Sequence, residues 1–403
     1  MNNNVISRQI AKLLFGIINH KVIIKFFDKI TPKDEKKIVF SSFPDYSDNG
    51  KAFYDYMKQN HNEYKLVWLV KDELSDKIPS PCYKIKSLCG LWHLITAKYS
   101  VETFFNLERY VSSKRRIKLQ LWHGMPLKTI GWNEKGIAKY MLKNYKKCSR
   151  DYFFVSSDIF KLSMISSFLM NPNNVFITGQ PKTDAILNNN NNDKISEYLN
   201  LGKYSKVIIY APTYKEVQRG IERDVHKKFN NIFYMNDYSK DALFKYLTDN
   251  NVLLLIKPHP FEEELYEEYI NSKELSHPNI KVIFNKDMFD NNMSFYEFFK
   301  IADLMITDFS SIGIDYLITK KPIIFLNTLA DDYNKTRGFI LEDNYELLEA
   351  GLKVRNFTEM LNAVNDSLTV DTYKQTRLAQ LPLLHKYLDS KASERVYEIM
   401  KNL

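Results

Sequence analysis

The chain has 403 residues, 44% hydrophobic, 14% aromatic and 26% charged, with a formal net charge of +9. That length exceeds one ordinary domain and suits two of roughly 200 residues, and the aromatic content provides enough core to exclude intrinsic disorder. Twelve Gly and 13 Pro exclude collagen-like or low-complexity architecture, while three Cys (Cys82, Cys89, Cys148) exclude a disulfide scaffold and point to a reducing compartment.

The positive charge is concentrated. Arg8, Lys12, Lys21, Lys25 and Lys29 against Asp28 give residues 1–30 a net +4, and eleven Lys and Arg against Glu134 give residues 114–150 a net +10. The rest of the chain is slightly acidic. In the first segment Ile6, Ile10, Leu13, Leu14, Ile17, Ile18, Ile24 and Phe27 recur at helical spacing with the basic residues between them. The longest apolar run, Leu13 to Ile18, is far short of the roughly 20 residues that span a bilayer. No small-residue cleavage site follows, so a secretory signal is not expected. Residues 1–32 therefore read as a basic amphipathic helix that either lies in an anionic membrane interface or packs on the protein's own core.

Past the polar stretch that begins at Thr31, short apolar runs alternate with helical patterns. Strands are expected at Lys37–Phe43, Leu66–Val70, Tyr99–Phe105, Ile117–Trp122, Tyr152–Val155 and Val175–Thr178, and helices at Ala52–Gln59, Leu88–Ala97 and Ile137–Lys146. Five Asn at 188–192 cannot pack a core and mark a domain boundary. The alternation restarts with strands at Val207–Tyr210, Val252–Ile256, Val282–Phe284, Leu304–Thr307 and Ile323–Leu326. Helices are expected at Asp241–Asp249, Phe295–Lys300 and Ile312–Thr319, with a helical tail over Tyr373–Leu403. This is an α/β chain with a parallel-sheet domain over 33–187 and a second over 188–403.

Ligands in such sheets bind beyond the carboxyl ends of strands, and five places after strands carry chemistry. Trp122-His123-Gly124-Met125-Pro126-Leu127-Lys128 presents His123 on a Gly-Pro turn, as a base titrating near neutrality or as a hydrogen-bonded structural His. Gly179-Gln180-Pro181-Lys182-Thr183-Asp184 reads best as an interdomain turn. In Tyr210-Ala211-Pro212-Thr213-Tyr214-Lys215, Thr213 and Lys215 can reach a phosphate. Lys257-Pro258-His259-Pro260 holds His259 rigidly between prolines, in a site or as a cap. Thr307-Asp308-Phe309-Ser310-Ser311 opens an apolar helical pattern, so the two serines sit at a helix start that either binds an anion or is an ordinary cap. There is no P-loop, dinucleotide fingerprint, H-E-x-x-H or C-x-x-C, and no D-x-D pair, so no metal is expected.

Taken together and in order, His123-Gly-x-Pro-Leu-Lys, Gly179-x-Pro-x-x-Asp184, Tyr210-Ala-Pro-Thr, Lys257-Pro-His-Pro and Thr307-Asp-x-Ser-Ser-x-x-x-Asp315 resemble the CDP-glycerol glycerophosphotransferase family of teichoic acid primases and polymerases, over about residues 35–345. The resemblance implies a GT-B-like fold, two Rossmann-like domains facing a central cleft, with the acceptor on the N-terminal and the CDP-alditol donor on the C-terminal domain. It implies transfer of glycerol phosphate or ribitol phosphate from the CDP-alditol to a hydroxyl of a lipid-linked saccharide or polyol-phosphate acceptor. CMP is released, without metal or cofactor, at the cytoplasmic face of the cell membrane.

On this resemblance His123 is the general base and His259 serves the pyrophosphate, as hydrogen-bond donor or as acid toward CMP. Thr213, Lys215, Lys257, Thr307, Asp308, Ser310, Ser311 and Arg337 (in Arg337-Gly338-Phe339) lie on the donor phosphates. Gly124, Pro126 and Lys128 lie on the acceptor side. Lys215 stands where the family often has Arg, and residues 341–350 lack the family's Pro-Gly stretch, which leaves the alditol open. The alternative is a GT-B nucleotide-sugar glycosyltransferase of surface glycan synthesis. A nucleic-acid binder is disfavoured because the basic segment carries no RNA-binding signature and is interrupted by the His-Gly-x-Pro turn. An anionic membrane surface is an expected partner, and a homo-oligomer is compatible with the sequence.

Overall fold

Apolar runs buried on both faces build the two sheets. Val252-Leu-Leu-Leu-Ile is buried at every position and Lys206–Ala211 at all but its first, as central strands of parallel sheets require. The computed structural model describes residues 21–71, 78, 81–105, 107, 113–134, 151–188, 193–214, 231–328 and 338–403. The expected helix over 137–146 lies outside the described residues, as do residues 1–20 of the N-terminal segment.

The first sheet holds β1 (Asp34–Ser41), β2 (Lys65–Val70), β3 (Cys82–Lys84), β4 (Ala97–Glu102), β5 (Ile117–Gln120), β6 (Tyr152–Val155) and β7 (Val175–Ile177). The second holds β8 (Lys206–Ala211), β9 (Val252–Ile256), β10 (Ile280–Val282), β11 (Leu304–Thr307), β12 (Ile323–Leu326) and β13 (Leu352–Val354). All pairings between these strands are parallel, in the orders β3-β2-β1-β4-β5-β6-β7 and β10-β9-β8-β11-β12-β13. Both orders reverse beside the first strand of their half, the doubly wound arrangement that opens a crevice between β1 and β4 and another between β8 and β11. The α/β, GT-B-like expectation holds.

Three differences from the expected elements have local causes. The strand expected over Ile117–Trp122 stops at Gln120, because Trp122 takes a φ of 55°, outside the strand region. β3 and β13 are three-residue edge strands, too short to show alternation. The expected helical tail divides into two helices with His385–Lys391 between them.

The helices that matter for the site are α1 (Lys21–Ile30), α2 (Asp48–Asn60), α3 (Leu88–Thr96), α4 (Ser311–Tyr316) and α5 (Ala392–Lys401). One side of α1 is committed to the core. Ile24 joins a cluster with Val39, Val67, Leu69, Leu91 and Leu94. The Asp28 carboxylate is fully buried and accepts from Arg116 Nη2 (2.7 Å), Ser113 N (2.7 Å) and Lys33 Nζ (3.1 Å).

The last helix returns to the first half. Val396, Tyr397 and Met400 of α5 pack with Ile38, Phe40, Trp68 and Leu119. Asp184 accepts from the Ala392 and Ser393 amides at the start of α5 (2.8 and 2.9 Å). The signature Asp184 thus caps this crossing helix. A further cluster runs through both halves, uniting Trp122, Phe153 and Phe168 with Val207, Ile209, Met305 and Phe325.

Candidate active site

The carboxyl ends of both sheets face one another, and the loops after β4, β5, β8, β9 and β11 meet there. On the first half, the turn after β5 is held in an unusual conformation. Trp122 has φ 55° and Gly124 φ 151°, values that side chains beyond glycine adopt only when the surroundings enforce them. His123 Nδ1 lies 2.9 Å from the Thr103 carbonyl oxygen, its ring 4.4 Å from Trp122 and 5.7 Å from Phe104. A carbonyl can only accept, so Nδ1 carries the proton and Nε2 is the basic nitrogen.

On the second half, His259 Nδ1 accepts from the Phe261 amide (3.2 Å), which places the ring proton on Nε2 as a donor. Burial, then the neighbouring Lys257, Lys128 and His123, lower its pKa to about 3 against the opposing pull of Asp308. His259 is therefore a neutral donor near pH 7. Tyr214 and Phe261 flank it, with centroids 5.3 Å from the ring, and Phe261 reaches Phe43 of the first half at 5.1 Å.

Ser310 precedes α4 and makes no capping hydrogen bond with its side chain; Ser311 opens the helix. The first-half turn touches this point. A Cβ built on Gly124 would come within 2.9 Å of Ser311 Cβ and 3.6 Å of Lys182 Nζ, so only glycine allows the two motifs to close together. The Pro126–Lys128 segment crosses the cleft as well. Lys128 bridges Phe339 antiparallel, Thr129 N donates to Gly338 O (3.0 Å), and Ile340 N donates to Leu127 O (2.9 Å). Lys128 thereby stands close enough to His259 to act on its charge state.

Other expected phosphate residues are turned to the protein. Thr213 donates twice to Asp308, from its amide (2.9 Å) and its hydroxyl (2.8 Å), closing the crevice between β8 and β11. Thr307 Oγ1 donates to Ala211 O (2.7 Å) in the same clasp. Lys257 Nζ is 3.2 Å from Glu263 and donates to its neighbour's carbonyl, Pro258 O (3.1 Å). Lys215 and Arg337 lie outside the described residues.

Several side chains around the site were not singled out from the sequence. Asn49 Nδ2 donates to the Leu121 and Trp122 carbonyls (3.2 and 2.9 Å), and Gln180 Nε2 donates to Leu121 O (3.2 Å). Lys182 Nζ donates to His123 O (2.9 Å). Behind Asp308, buried Glu349 accepts from Asn327 Nδ2 (3.2 Å), and burial raises its pKa to about 7. Gln180 and Lys182 belong to a motif that was visible but read as a turn. Asn49, Asn327 and Glu349 carried no spacing signal. Among the described residues no group of three or more His, Cys, Asp or Glu side chains could hold a metal ion, and no helix is long and apolar enough to cross a membrane.

A family model described as CDP-Glycerol:Poly(glycerophosphate) glycerophosphotransferase matches residues 23–402. The chain is 26% identical over 365 residues to the teichoic acid poly(glycerol phosphate) polymerase of Bacillus spizizenii, covering 86% of each chain. It is 27% identical over 401 residues to the teichoic acid glycerol-phosphate transferase of Staphylococcus aureus, covering 94% of this chain and 96% of that one. Among solved structures, the wall teichoic acid polymerase TagF soaked with CDPG superposes with a TM-score of 0.78 at 22% identity, over 100% of this chain and 98% of that one. At that identity the likeness speaks for the fold alone.

Proposed function

The chain belongs to the CDP-Glycerol:Poly(glycerophosphate) glycerophosphotransferase family, and from that premise we propose how its cleft performs the transfer. The protein is a transferase of alditol phosphate in teichoic acid synthesis. An acceptor hydroxyl attacks the alditol-bearing phosphate of the CDP-alditol. An O–P bond forms, the pyrophosphate P–O bond breaks, and CMP leaves.

The observation that carries this reading is the opposition of the two histidines in one cleft, each with its tautomer set by a backbone group. His123 offers a basic Nε2 and takes the hydroxyl proton as the nucleophile advances. His259 offers an Nε2–H, and with Ser310, Ser311 and the amides that open α4 it meets the charge that develops on the phosphate oxygens. Lys128 adds positive charge on the same side. Asp308, Thr213 and Thr307 act beneath them by fixing the two loops. Pro126 sets the direction of the segment that carries Lys128.

The test is donor profiling. Incubation with CDP-glycerol, CDP-ribitol and a panel of nucleotide sugars is expected to release CMP from a CDP-alditol. Release of UDP or GDP instead would establish the glycosyltransferase alternative.

The acceptor side calls for a membrane surface, and α1 supplies one. With Ile24 and Asp28 turned inward, Phe26, Phe27 and Ile30 remain exposed beside Lys25 and Lys29. The helix packs against α3, on which Leu88 and Trp92 are exposed too. Aromatic and aliphatic groups flanked by lysines suit an anionic bilayer interface. The double substitution Phe26→Ser and Phe27→Ser leaves the Asp28 network intact, so it is expected to keep the melting temperature and reduce cosedimentation with phosphatidylglycerol vesicles several-fold. Undiminished cosedimentation would assign α1 a purely structural role.

A further inference from the structure

The His123 turn is held from below by three buried side chains from distant parts of the chain. Asn49 at the start of α2 and Gln180 and Lys182 after β7 bond the carbonyls of Leu121, Trp122 and His123, one after another. Asn49 also accepts from the Lys182 amide (3.1 Å), so the three form one assembly. A turn with positive φ at a tryptophan stores strain, and such strain persists only where neighbours over-determine it.

Lys182 has a second set of partners. Its side chain is 1% exposed, and Nζ lies 3.0 Å from Asp315 of α4 and 3.4 Å from Asp48 of α2. Nζ also sits 4.8 Å from the centre of the Tyr296 ring. A lysine buried this deeply needs paired carboxylates. Burial opposes its charge, but Asp315 and Asp48 outweigh burial and keep the ammonium protonated. Asp315 belongs to the second half, in the helix that Ser311 opens, while His123 and Asp48 belong to the first.

We propose that Lys182 is a positioning residue for the transfer: it ties the His123 carbonyl to Asp315, so that His123 and the Ser310–Ser311 helix start are held in register across the two halves. Lys182 touches no reacting atom; it acts through His123 and through α4. The proposal rests on the reading of His123 as the proton acceptor. The physical basis is that a nucleophile and its base must stand within hydrogen-bond reach, and a misplacement of about 1 Å costs about a hundredfold in rate.

The experiment compares steady-state kinetics and melting temperatures of the full chain with CDP-glycerol and a soluble acceptor analogue. Lys182→Met is expected to lower kcat about a hundredfold, with the KM for CDP-glycerol changed by less than about threefold, as expected when positioning and not donor binding is lost. Lys182→Arg keeps the charge and is expected to recover part of kcat. The double variant Lys182→Met, Asp315→Asn removes the charge of both members of the 3.0 Å pair and leaves only the partly exposed Asp48; it is expected to regain melting temperature without regaining kcat. This variant carries the test even where Lys182→Met alone folds poorly. Recovery of kcat together with stability would make Lys182 merely structural and overturn the proposal, as would wild-type kcat in Lys182→Met. His123→Ala, run alongside, separates the two readings: wild-type turnover in that variant would refute the role of His123, whereas an inactive His123→Ala beside an active Lys182→Met would refute only the role of Lys182.

Discussion

Replacing His123 with alanine is expected to lower turnover with a CDP-alditol by about 10² to 10⁴, the usual contribution of a positioned acid–base group, while the donor still binds. The effect is assigned to kcat because the ring sits on the first-half turn, packed against Trp122 and Phe104 and fixed through Nδ1 to the Thr103 carbonyl. The donor-side elements, β8, β9, β11 and α4, are untouched by the substitution. His123→Gln serves as control, since its amide can replace the hydrogen bond to Thr103 O but cannot accept the hydroxyl proton at neutral pH. It should therefore fold like the wild type and remain slow. Donor affinity by calorimetry and single-turnover CMP release separate the two quantities. Wild-type-like transfer by His123→Ala removes it from the mechanism, and loss of donor affinity with unchanged kcat moves it to the donor side.

For His259→Ala the expected signature differs: weaker donor binding together with a rate loss of about 10² or more, the scale for removing a preorganised donor to developing charge. His259 is neutral near pH 7, because burial and the nearby Lys257, Lys128 and His123 lower its pKa to about 3. It can thus donate its Nε2–H to a phosphate oxygen without having been protonated. His259→Gln, which retains an N–H donor, is expected to recover part of the rate; an imidazolium acting as acid would allow no such recovery.

The same shift has a consequence for stability. The unfolded chain binds a proton at His259 below about pH 6.5, whereas the folded chain does not until about pH 3. Stability contributed by the neutral ring is therefore present above about pH 6.5 and is lost as the pH falls toward 3, by roughly 2 kcal/mol at pH 5. His259→Gln is expected to flatten the decline in melting temperature between pH 7 and 5. It should not abolish it, because buried His385, bonded through Nε2 to Ile314 O, is lowered to about 4 and titrates in the same direction. An unchanged decline would show that His259 is more solvated than this geometry allows.

The separate treatment of the two histidines was only partly legible in the sequence. His123 and His259 stood out because each follows an apolar run and is braced by Gly or Pro, both local features. Their tautomers were not legible, since these depend on Thr103 O and the Phe261 amide, and hence on how loops fold back. Lys257 shows the limit most directly. Its place beside His259 suggested a phosphate contact, but its ammonium lies 3.2 Å from Glu263. A buried cation is drawn to the carboxylate that neutralises it, and the partner six residues on becomes adjacent only when the chain turns after Pro260. Thr213 and Thr307 likewise had the chemistry to meet a phosphate, but their hydroxyls close hydrogen bonds to Asp308 and Ala211 O.

For the N-terminal segment the sequence left two readings, interface or core, and the structure commits the Ile24 and Asp28 face of α1 to the core. Asp28 decided this. A carboxylate within an apolar-periodic helix reads as a solvated residue, and only Arg116, Ser113 and Lys33 converging on it make burial affordable.

What the sequence by itself determined was the parallel α/β architecture, the two halves, and the strand ends that carry the candidate site. Burial on both faces of a parallel sheet demands unbroken apolar runs, and ligand loops begin where those runs stop; both are properties of contiguous residues. The tertiary structure alone decided which loops oppose one another: Gly124 against Ser311, Leu127–Thr129 against Gly338–Ile340, Lys182 between Asp48 and Asp315, and α5 returned to the first sheet by Asp184. These pairings are set by desolvation and charge neutralisation between segments distant in the chain, and no local periodicity encodes them.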